Sequence, residues 1–355
     1  MFYREAGVFK TSYAADMALY PLPVSRWGMG VALALLAVIV PLVASAYVLT
    51  ILNLILVAVV GAIGLNILTG CTGQISIGQG AFMAVGAYTA ANLIVRLHAP
   101  FWITLPAAGA MTALVGTIVG IPSLRIKGLY LTIATLAAQF IIEWLINHVT
   151  WISGGIQATI QMPPPVIFGY QIHTQAEFYV FLLAFAVLAT VAAKNLIRSR
   201  WGRAFIAVRD QDIAAELIGI NIFHTKLISF AISSFYAGVA GALYSYYLGI
   251  ANYEQFQIDV SIDYLAMIII GGLGSITGSI LGAAFITLLP VVTRRVLEAV
   301  GGMFSAGIDV SGMLPELRLI LFGTLIIVFL MAEPEGLDRL WRNVRNYFRT
   351  WPFSY

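Results

Sequence analysis

The sequence predicts an all-α polytopic membrane protein of about eight to ten transmembrane helices, some of them broken by glycine. Of its 355 residues, 60% are hydrophobic and 10% are charged, whereas a soluble domain carries about 25% charged residues. Apolar runs near the roughly 20 residues that cross a bilayer recur along the chain. One glycine-rich stretch interrupts two such runs, which indicates irregular backbone at membrane depth.

Ten apolar runs mark the expected spans in chain order. They are Gly28–Ala46, Val48–Leu68, Ile77–Val95, Ile103–Ile121, Leu129–Val149, Phe178–Ala193, Leu227–Ile250, Ile262–Gly272, Ile276–Val292 and Leu317–Met331. The later runs include short pieces flanked by glycine, so the number of crossings after about residue 260 stays open. We expect one transmembrane domain at residues 28–332, with cytoplasmic tails at residues 1–27 and 333–355.

The most polar interruption lies in Leu65–Ala90, between the second and third runs. Four glycines alternate there with hydroxyl and amide side chains: Gly70, Gly73, Gly78 and Gly80, with Thr69, Thr72, Gln74, Ser76 and Gln79. Non-helical backbone at membrane depth is tolerated only where protein buries it or where it lines a wet cavity. The stretch therefore predicts a translocation path lined by Gly73, Gln74, Ser76 and Gln79.

A second glycine interruption, Gly271–Thr277, resembles the segment Gly70–Ser76. Paired interruptions in the two halves of a transporter indicate an internal repeat and a substrate path between the halves. This adds Gly274, Ser275 and Thr277 to the expected lining. Two structural alternatives stay open, because small residues also permit close helix packing and polar side chains also hydrogen-bond between helices.

The basic residues predict the orientation of the chain in the membrane. Lys and Arg are concentrated at residues 125–127, 194–226 and 339–349, and they are absent from residues 150–176 and 251–263. The positive-inside rule places the basic connections and both termini in the cytoplasm and the other two loops outside. Residues 1–26 lack the apolar core of a cleavable signal peptide.

The longest basic connection, at about residues 197–226, contains an amphipathic helical segment. At helical spacing its residues fall on two faces, apolar Ile213, Leu217 and Ile220 opposite charged Arg209, Asp212 and Glu216. Such a helix can lie among lipid headgroups or dock into a groove of a soluble protein. The mixed-sign face favours docking, because membrane-surface helices carry mostly Lys and Arg.

This connection resembles the coupling segment of ATP-binding-cassette (ABC) importer permeases, whose signature is E-A-A-x-x-x-G. Ala214, Ala215 and Gly219 match the signature, whereas Ile213 stands in place of the glutamate. A closer resemblance is to the branched-chain amino-acid ABC permeases, from about Leu52 to Leu337. Four blocks carry it: GLNILTGCTGQISIGQGAFMAVGAYTAA, SLRIKGLYLTIATLAAQFI, GRAFIAVRDQDIAAELIGINIFHTKLISFAISSFYAGVAGALY and IGGLGSITGSILGAAFITLLP. The second block resembles the LivM-type rather than the LivH-type permease.

The resemblance implies a non-catalytic permease subunit of the bacterial inner membrane. Such a subunit pairs with a sister permease, receives its solute from a periplasmic binding protein and is driven by two ATP-binding subunits. The coupling contacts it implies are Arg209, Asp212, Ala214, Ala215, Glu216 and Gly219. The chain has no G-x-x-x-x-G-K-[ST] phosphate loop, so ATP is expected on the partners, and no cofactor or metal is expected on this chain.

Other classes of function compete with an importer subunit. A self-sufficient secondary transporter would need a proton- or cation-coupling carboxylate at membrane depth, and Glu143 is the candidate. A membrane enzyme is disfavoured, because the four histidines are scattered and the single cysteine, Cys71, excludes a cysteine metal cluster. A nucleic-acid partner is not indicated. The expected solutes are branched-chain amino acids or related small polar or carboxylate compounds.

Overall fold

The protein is helical, as predicted. The computed structural model describes residues 11–12, 23–123, 129–154, 158–167, 169–303, 320, 323–324, 327–328, 331 and 336–350. Its helices are α1 (Pro23–Val43), α2 (Ala46–Thr72), α3 (Gln79–Leu97), α4 (Phe101–Ser123), α5 (Leu129–His148), α6 (Thr150–Ser153), α7 (Gln175–Arg198), α8 (Arg200–Asp210), α9 (Asp212–Leu217), α10 (Ile222–Leu248), α11 (Ile258–Gly271), α12 (Ile276–Met303) and α13 (Leu337–Thr350).

Seven of the described helices are long and apolar enough to cross a membrane, namely α2, α3, α4, α5, α7, α10 and α12. This confirms the predicted class of polytopic all-α membrane protein. The apolar helix α1 and the 14-residue helix α11 account for two further predicted runs. Most of the last predicted run, Leu317–Met331, lies outside the described residues, as does most of the N-terminal tail.

The core forms around α10, which packs against α2, α3 and α4, and α2 packs in addition against α7 and α12. Small residues let these helices approach closely. A Cβ added to Gly86 of α3 would overlap the backbone of Gly238 in α10, and one added to Gly64 of α2 would overlap Tyr236. Close contact through small residues is the usual way in which helices associate in a membrane, because lipid gives apolar side chains little reason to pair.

The two loops that lack Lys and Arg meet at one end of the helices. Strand β1 (Thr159–Gln161) pairs with the strand Ile250–Asn252, which we call β4, in an antiparallel ladder. A small hairpin of β2 (Val166–Ile167) and β3 (Tyr170–Gln171) lies between them in the chain. The basic segment α8–α9 contacts the opposite ends of α2 and α10, so the charge asymmetry predicted from the sequence separates the two ends of the molecule.

Candidate functional site

The site begins where α2 ends. Gly73 adopts a left-handed conformation, with φ at 71°, which a residue with a side chain rarely adopts. Its N–H donates to the carbonyl of Thr69 at 3.1 Å, and the N–H of Gln74 donates to the carbonyl of Leu68 at 3.3 Å. These two bonds satisfy carbonyls that the helix end would otherwise leave free, and they turn the chain sharply out of the helix.

The chain then runs back alongside α2 without helical structure. In this segment, Ile77 donates its N–H to Thr135 Oγ1 of α5 at 3.1 Å. Helix α3 begins at Gln79, whose amide nitrogen donates to the carbonyl of Gly61 at 3.1 Å. Because Gly61 lies about 17 Å along α2 from Thr72 at 1.5 Å per residue, α3 starts deep within the helical bundle. The predicted irregular backbone at membrane depth is therefore present, with Gln74, Ser76 and Gly78 buried by protein and Ile75 exposed.

The first N–H groups of α3 are bonded to two neighbouring helices. Gly80 donates to Ser261 Oγ of α11 at 2.8 Å, and Ala81 donates to Gln139 Oε1 of α5 at 2.7 Å. Gln139 in turn donates to the carbonyl of Phe256 at 2.9 Å, so the loop after β4 reaches this point from the opposite end of the bundle. The first N–H groups of α3 are thus bonded to protein in this conformation.

Sequence reasoning missed Gln139 and Ser261. A signal for Gln139 was present, since an amide inside an apolar span needs a partner. The signal for Ser261 was weaker, because a single serine at the start of an apolar run is common.

The two glycine interruptions touch each other. Asn66 of α2 joins them, since its Oδ1 accepts the N–H of Gly274 at 2.8 Å and its Nδ2 donates to the carbonyl of Ser275 at 2.7 Å. A Cβ added to Gly70 would overlap the backbone of Gly274, whose φ is 82°. The segments that resemble each other in sequence therefore meet at one end of the bundle.

Arg209 links the basic segment to this meeting point. Its Nη1 donates to the carbonyl of Gly70 at 2.8 Å, and its side chain lies against Gly73 and Gly274. Its Nε also bonds Asp210 at 2.9 Å. One guanidinium therefore connects the end of α8 with both glycine interruptions.

The expected continuous amphipathic helix is wrong in one respect, because it breaks at Gln211. This residue is extended, with φ at −157° and ψ at 96°, and it separates α8 from α9. Arg209 therefore lies on a different helix from Asp212 and Glu216, and its half-exposed side chain reaches the carbonyl of Gly70.

The short helix α9 presents its apolar side chains to the outside. Ile213 is 67% exposed and Leu217 is 84% exposed, whereas Ala215 is buried. Ala214 and Glu216 are also exposed. Gly219 turns the chain away from the helix with φ at 89°. Exposed leucine and isoleucine at a helix outside the apolar spans are typical of a surface that a partner covers.

The predicted pathway residues divide into two groups. Gln74, Ser76 and Gln79 are buried, and Gln74 donates to Ser229 Oγ of α10 at 2.9 Å. Ser275 and Thr277 share a hydrogen bond of 2.9 Å. Together with Gly274 they line a cavity of about 650 Å³ at the end of the bundle that carries Arg209. The first group lies between helices of this chain, and the second group lies at the surface of a cavity.

No group of three His, Cys, Asp or Glu side chains that could hold a metal occurs among the residues that the structure describes. Cys71 is buried as a free thiol at the end of α2.

Comparisons with known proteins show the family of the chain. Residues 47–330 match the family described as branched-chain amino acid transport system / permease component. The high-affinity branched-chain amino acid transport system permease protein LivM of Escherichia coli is 32% identical over 330 residues, which cover 86% of this chain and 73% of LivM. No solved structure matches the chain.

Two further relatives show the breadth of the similarity. A probable branched-chain amino acid transport permease protein LivH of Methanocaldococcus jannaschii is 27% identical, covering 81% of this chain and 91% of that protein. The autoinducer 2 import system permease protein LsrC of Klebsiella pneumoniae is 27% identical, covering 58% of this chain and 60% of LsrC. The chain therefore belongs to the family of permease components of branched-chain amino acid transport systems, and it is a membrane-spanning permease subunit of an ABC importer.

Proposed function

We propose that this chain imports branched-chain amino acids, or related small polar or carboxylate solutes, as one of two similar permeases. Two ATP-binding subunits would supply the energy and a periplasmic binding protein would deliver the solute. The observation that carries this proposal is the similarity to LivM over most of both chains. The similarity to LsrC, a permease of a different import system, is the reason why the solute needs a direct test.

The proposed contact with the ATP-binding subunits is α9 and the turn that follows it. Ile213 and Leu217 offer an exposed apolar surface, and Asp212 and Glu216 border it. Ala214 and Ala215 give the helix little bulk there, and Gly219 ends it. A groove on a partner would bury the two apolar side chains, which is the common mode of helix docking.

Arg209 is proposed to carry movement of this contact to the bundle. Its bond to the carbonyl of Gly70 and its position against Gly73 and Gly274 join α8 to both glycine interruptions. A partner can shift a conformational equilibrium only if its contacts differ between the two states. ATP-driven closure of the ATP-binding subunits would therefore move α9 and α8 first. Through Arg209, this movement would alter the packing of the two glycine interruptions.

The proposed solute route follows the same interruptions. At the first one, Gln74 and Gln79 bond α10 and α2, and Ser76 is buried beside them. Gly274, Ser275 and Thr277 lie at the cavity beside the second. Opening would exchange bonds such as that of Gly80 to Ser261 for bonds to a solute carboxylate. Helix N-termini and freed carbonyls can together receive a zwitterion.

The proposed orientation places both termini and the basic segment α8–α9 in the cytoplasm, in a bacterial inner membrane. It rests on the distribution of Lys and Arg. The loops that contain β1 and β4 would then face the periplasm, where a solute-binding protein could contact them.

A transport measurement tests the proposal. Proteoliposomes that carry the complete importer, with ATP on the side of the ATP-binding subunits and binding protein on the other, are given labelled leucine. We expect ATP-dependent uptake that isoleucine and valine inhibit and urea does not. An importer with an inactive ATPase serves as the control. Uptake of urea or an aromatic acid in place of leucine would assign the chain to those related solutes and would contradict branched-chain amino acids as its solute.

A further inference from the structure

A basic cavity lies between the end of α7, the loop after α11 and the start of α13. Its volume is about 650 Å³. Four basic side chains and one acidic side chain line it, together with the loop Gly272–Thr277: Lys194, Arg198, Arg209 and Arg342, and Asp338. We call it the basic cavity. The excess of positive charge indicates an anionic occupant.

The basic cavity lies where α7 leaves the apolar part of the molecule. Lys194 and Arg198 are four residues apart in the last two turns of this 24-residue span, so both project from one side of the helix. One turn further in, Val191 continues the same side and is 47% exposed. Positive groups above an exposed apolar side chain match the arrangement of a phospholipid, with its phosphate above its acyl chains.

Helix α13 has the composition of a helix that lies in the membrane interface. Arg339, Arg342 and Arg345 occupy one side of it, at 100° per residue. The other side carries large apolar side chains, each between 43% and 58% exposed: Leu340, Trp341, Val344 and Tyr347. Arginine opposite tryptophan, tyrosine and leucine is typical of helices that bury one face at the headgroup boundary.

The first turn of α13 is fixed to the bundle beside the basic cavity. Asp338 accepts a hydrogen bond from Thr277 of α12 and pairs with Arg342 Nε at 3.3 Å. Gly336, with φ at 68°, packs against the backbone of Ile270 and Gly271. This attachment places the start of α13 at the same level as the end of α7, and it holds Arg342 at the cavity.

We propose that the basic cavity binds the phosphate headgroup of an anionic phospholipid, with α13 lying in the same leaflet. Lys194, Arg198 and Arg342 would contact the phosphate, and the acyl chains would follow the exposed side of α7 past Val191. The leaflet is the cytoplasmic one, which rests on the orientation proposed above. Because the loop Gly272–Thr277 lines the cavity and touches Gly70, the bound lipid would stabilise one arrangement of the glycine interruptions.

The test uses the full-length chain, purified with its partner subunits and placed in nanodiscs of phosphatidylcholine with increasing phosphatidylglycerol. Retained phospholipid is counted by native mass spectrometry after release into detergent. We expect one tightly held phosphatidylglycerol per chain. Lys194→Gln and Arg198→Gln should each raise the phosphatidylglycerol needed for half-occupancy about fivefold. This factor corresponds to the free energy with which one basic residue near a membrane surface attracts anionic lipid.

Two matched variants keep this test specific. Arg345→Gln removes the same charge from an exposed position of α13 outside the lining of the basic cavity, so it should change retention less than twofold. Lys194→Arg keeps the charge and should retain the lipid. Equal losses in Lys194→Gln and Arg345→Gln would overturn the proposal, because they would indicate general attraction to the membrane surface.

Other occupants give different results. Displacement of the lipid by inorganic phosphate would indicate a site for soluble anions and would contradict the proposal. Loss of the ATP-binding subunits from Lys194→Gln, with lipid retention unchanged, would assign the cavity to a protein contact instead. Lipid retention is measured without solute or ATP. A negative result would therefore overturn the lipid site without changing the result of the leucine uptake experiment.

Discussion

Gly70 is the residue at which the two helix interruptions come closest. A side chain at this position would overlap both Asn66 and the backbone of Gly274. Neither neighbour can move freely, because Asn66 bonds Gly274 and Ser275 at 2.8 and 2.7 Å. The absence of a side chain at Gly70 therefore permits the contact between the interruptions.

Gly70→Ala should consequently destabilise the protein. Forcing a methyl group into a packed site costs about 1–3 kcal/mol, and here the obstruction is backbone. We expect thermal unfolding in detergent at a lower temperature than for the wild type. The control is Gly28→Ala, because Gly28 has open space around it. Equal unfolding temperatures for Gly70→Ala and the wild type would show that the interruptions do not pack as described.

Arg209→Gln should separate ATP hydrolysis from transport. The change removes a hydrogen bond from a charged donor to the carbonyl of Gly70, which contributes about 1.5 kcal/mol and hence about tenfold. We expect uptake per ATP hydrolysed to fall by about that factor, while the ATP-binding subunits still copurify. Arg200→Gln, at an exposed position of the same helix, is the control. Unchanged coupling in Arg209→Gln would remove this residue from the mechanism.

The contacts of single residues were the hardest feature to predict from sequence. Arg209 and Gly70 are 139 positions apart, and helical periodicity grouped Arg209 with Asp212 and Glu216 on one charged helix face. The bonds of Gly80 to Ser261 and of Ala81 to Gln139 were also not predicted. Local patterns identify which residue types stand at an interruption, whereas their partners depend on how distant helices pack.

Helix α9 is the element that the proposed function depends on most. Leu217 is 84% exposed, and burial of a leucine side chain on docking is worth about 1.5–3 kcal/mol. Leu217→Gln should therefore weaken association with the ATP-binding subunits by about tenfold or more, measured by titration of purified subunits. Phe223→Gln, in the following helix at 42% exposure, is the control. Equal affinities for Leu217→Gln and wild type would place the docking surface elsewhere.

Hydropathy predicted the existence of the elements well and their ends less well. The apolar runs correspond to α2, α3, α4, α5, α7, α10 and α12, because a long apolar helix is set by local composition. The break at Gln211 was missed, since no glycine or proline marks it. Helix α13 was expected only as a tail, although its arginine and aromatic residues recur at helical spacing.

At the scale of the whole molecule, the alternative to an importer subunit is a carrier driven by a cation gradient. Glu143, half-buried in α5, was the predicted coupling carboxylate for such a carrier. Glu143→Gln should leave ATP-driven uptake within about twofold of the wild type if the chain acts only in an importer. The same uptake assay measures it, with Arg209→Gln as the impaired reference. Loss of uptake in Glu143→Gln, with the complex intact, would favour the carrier.

The most direct test of the account is the composition of the native complex. The tagged chain is purified from its own membranes in a mild detergent, and the copurifying proteins are identified by mass spectrometry. We predict a second, similar permease and a pair of phosphate-loop ATPases, with ATPase recovery reduced in Glu216→Lys. Recovery of the chain alone or as a homo-oligomer, in a detergent that preserves known importer complexes, would contradict the assembly on which the proposed mechanism rests.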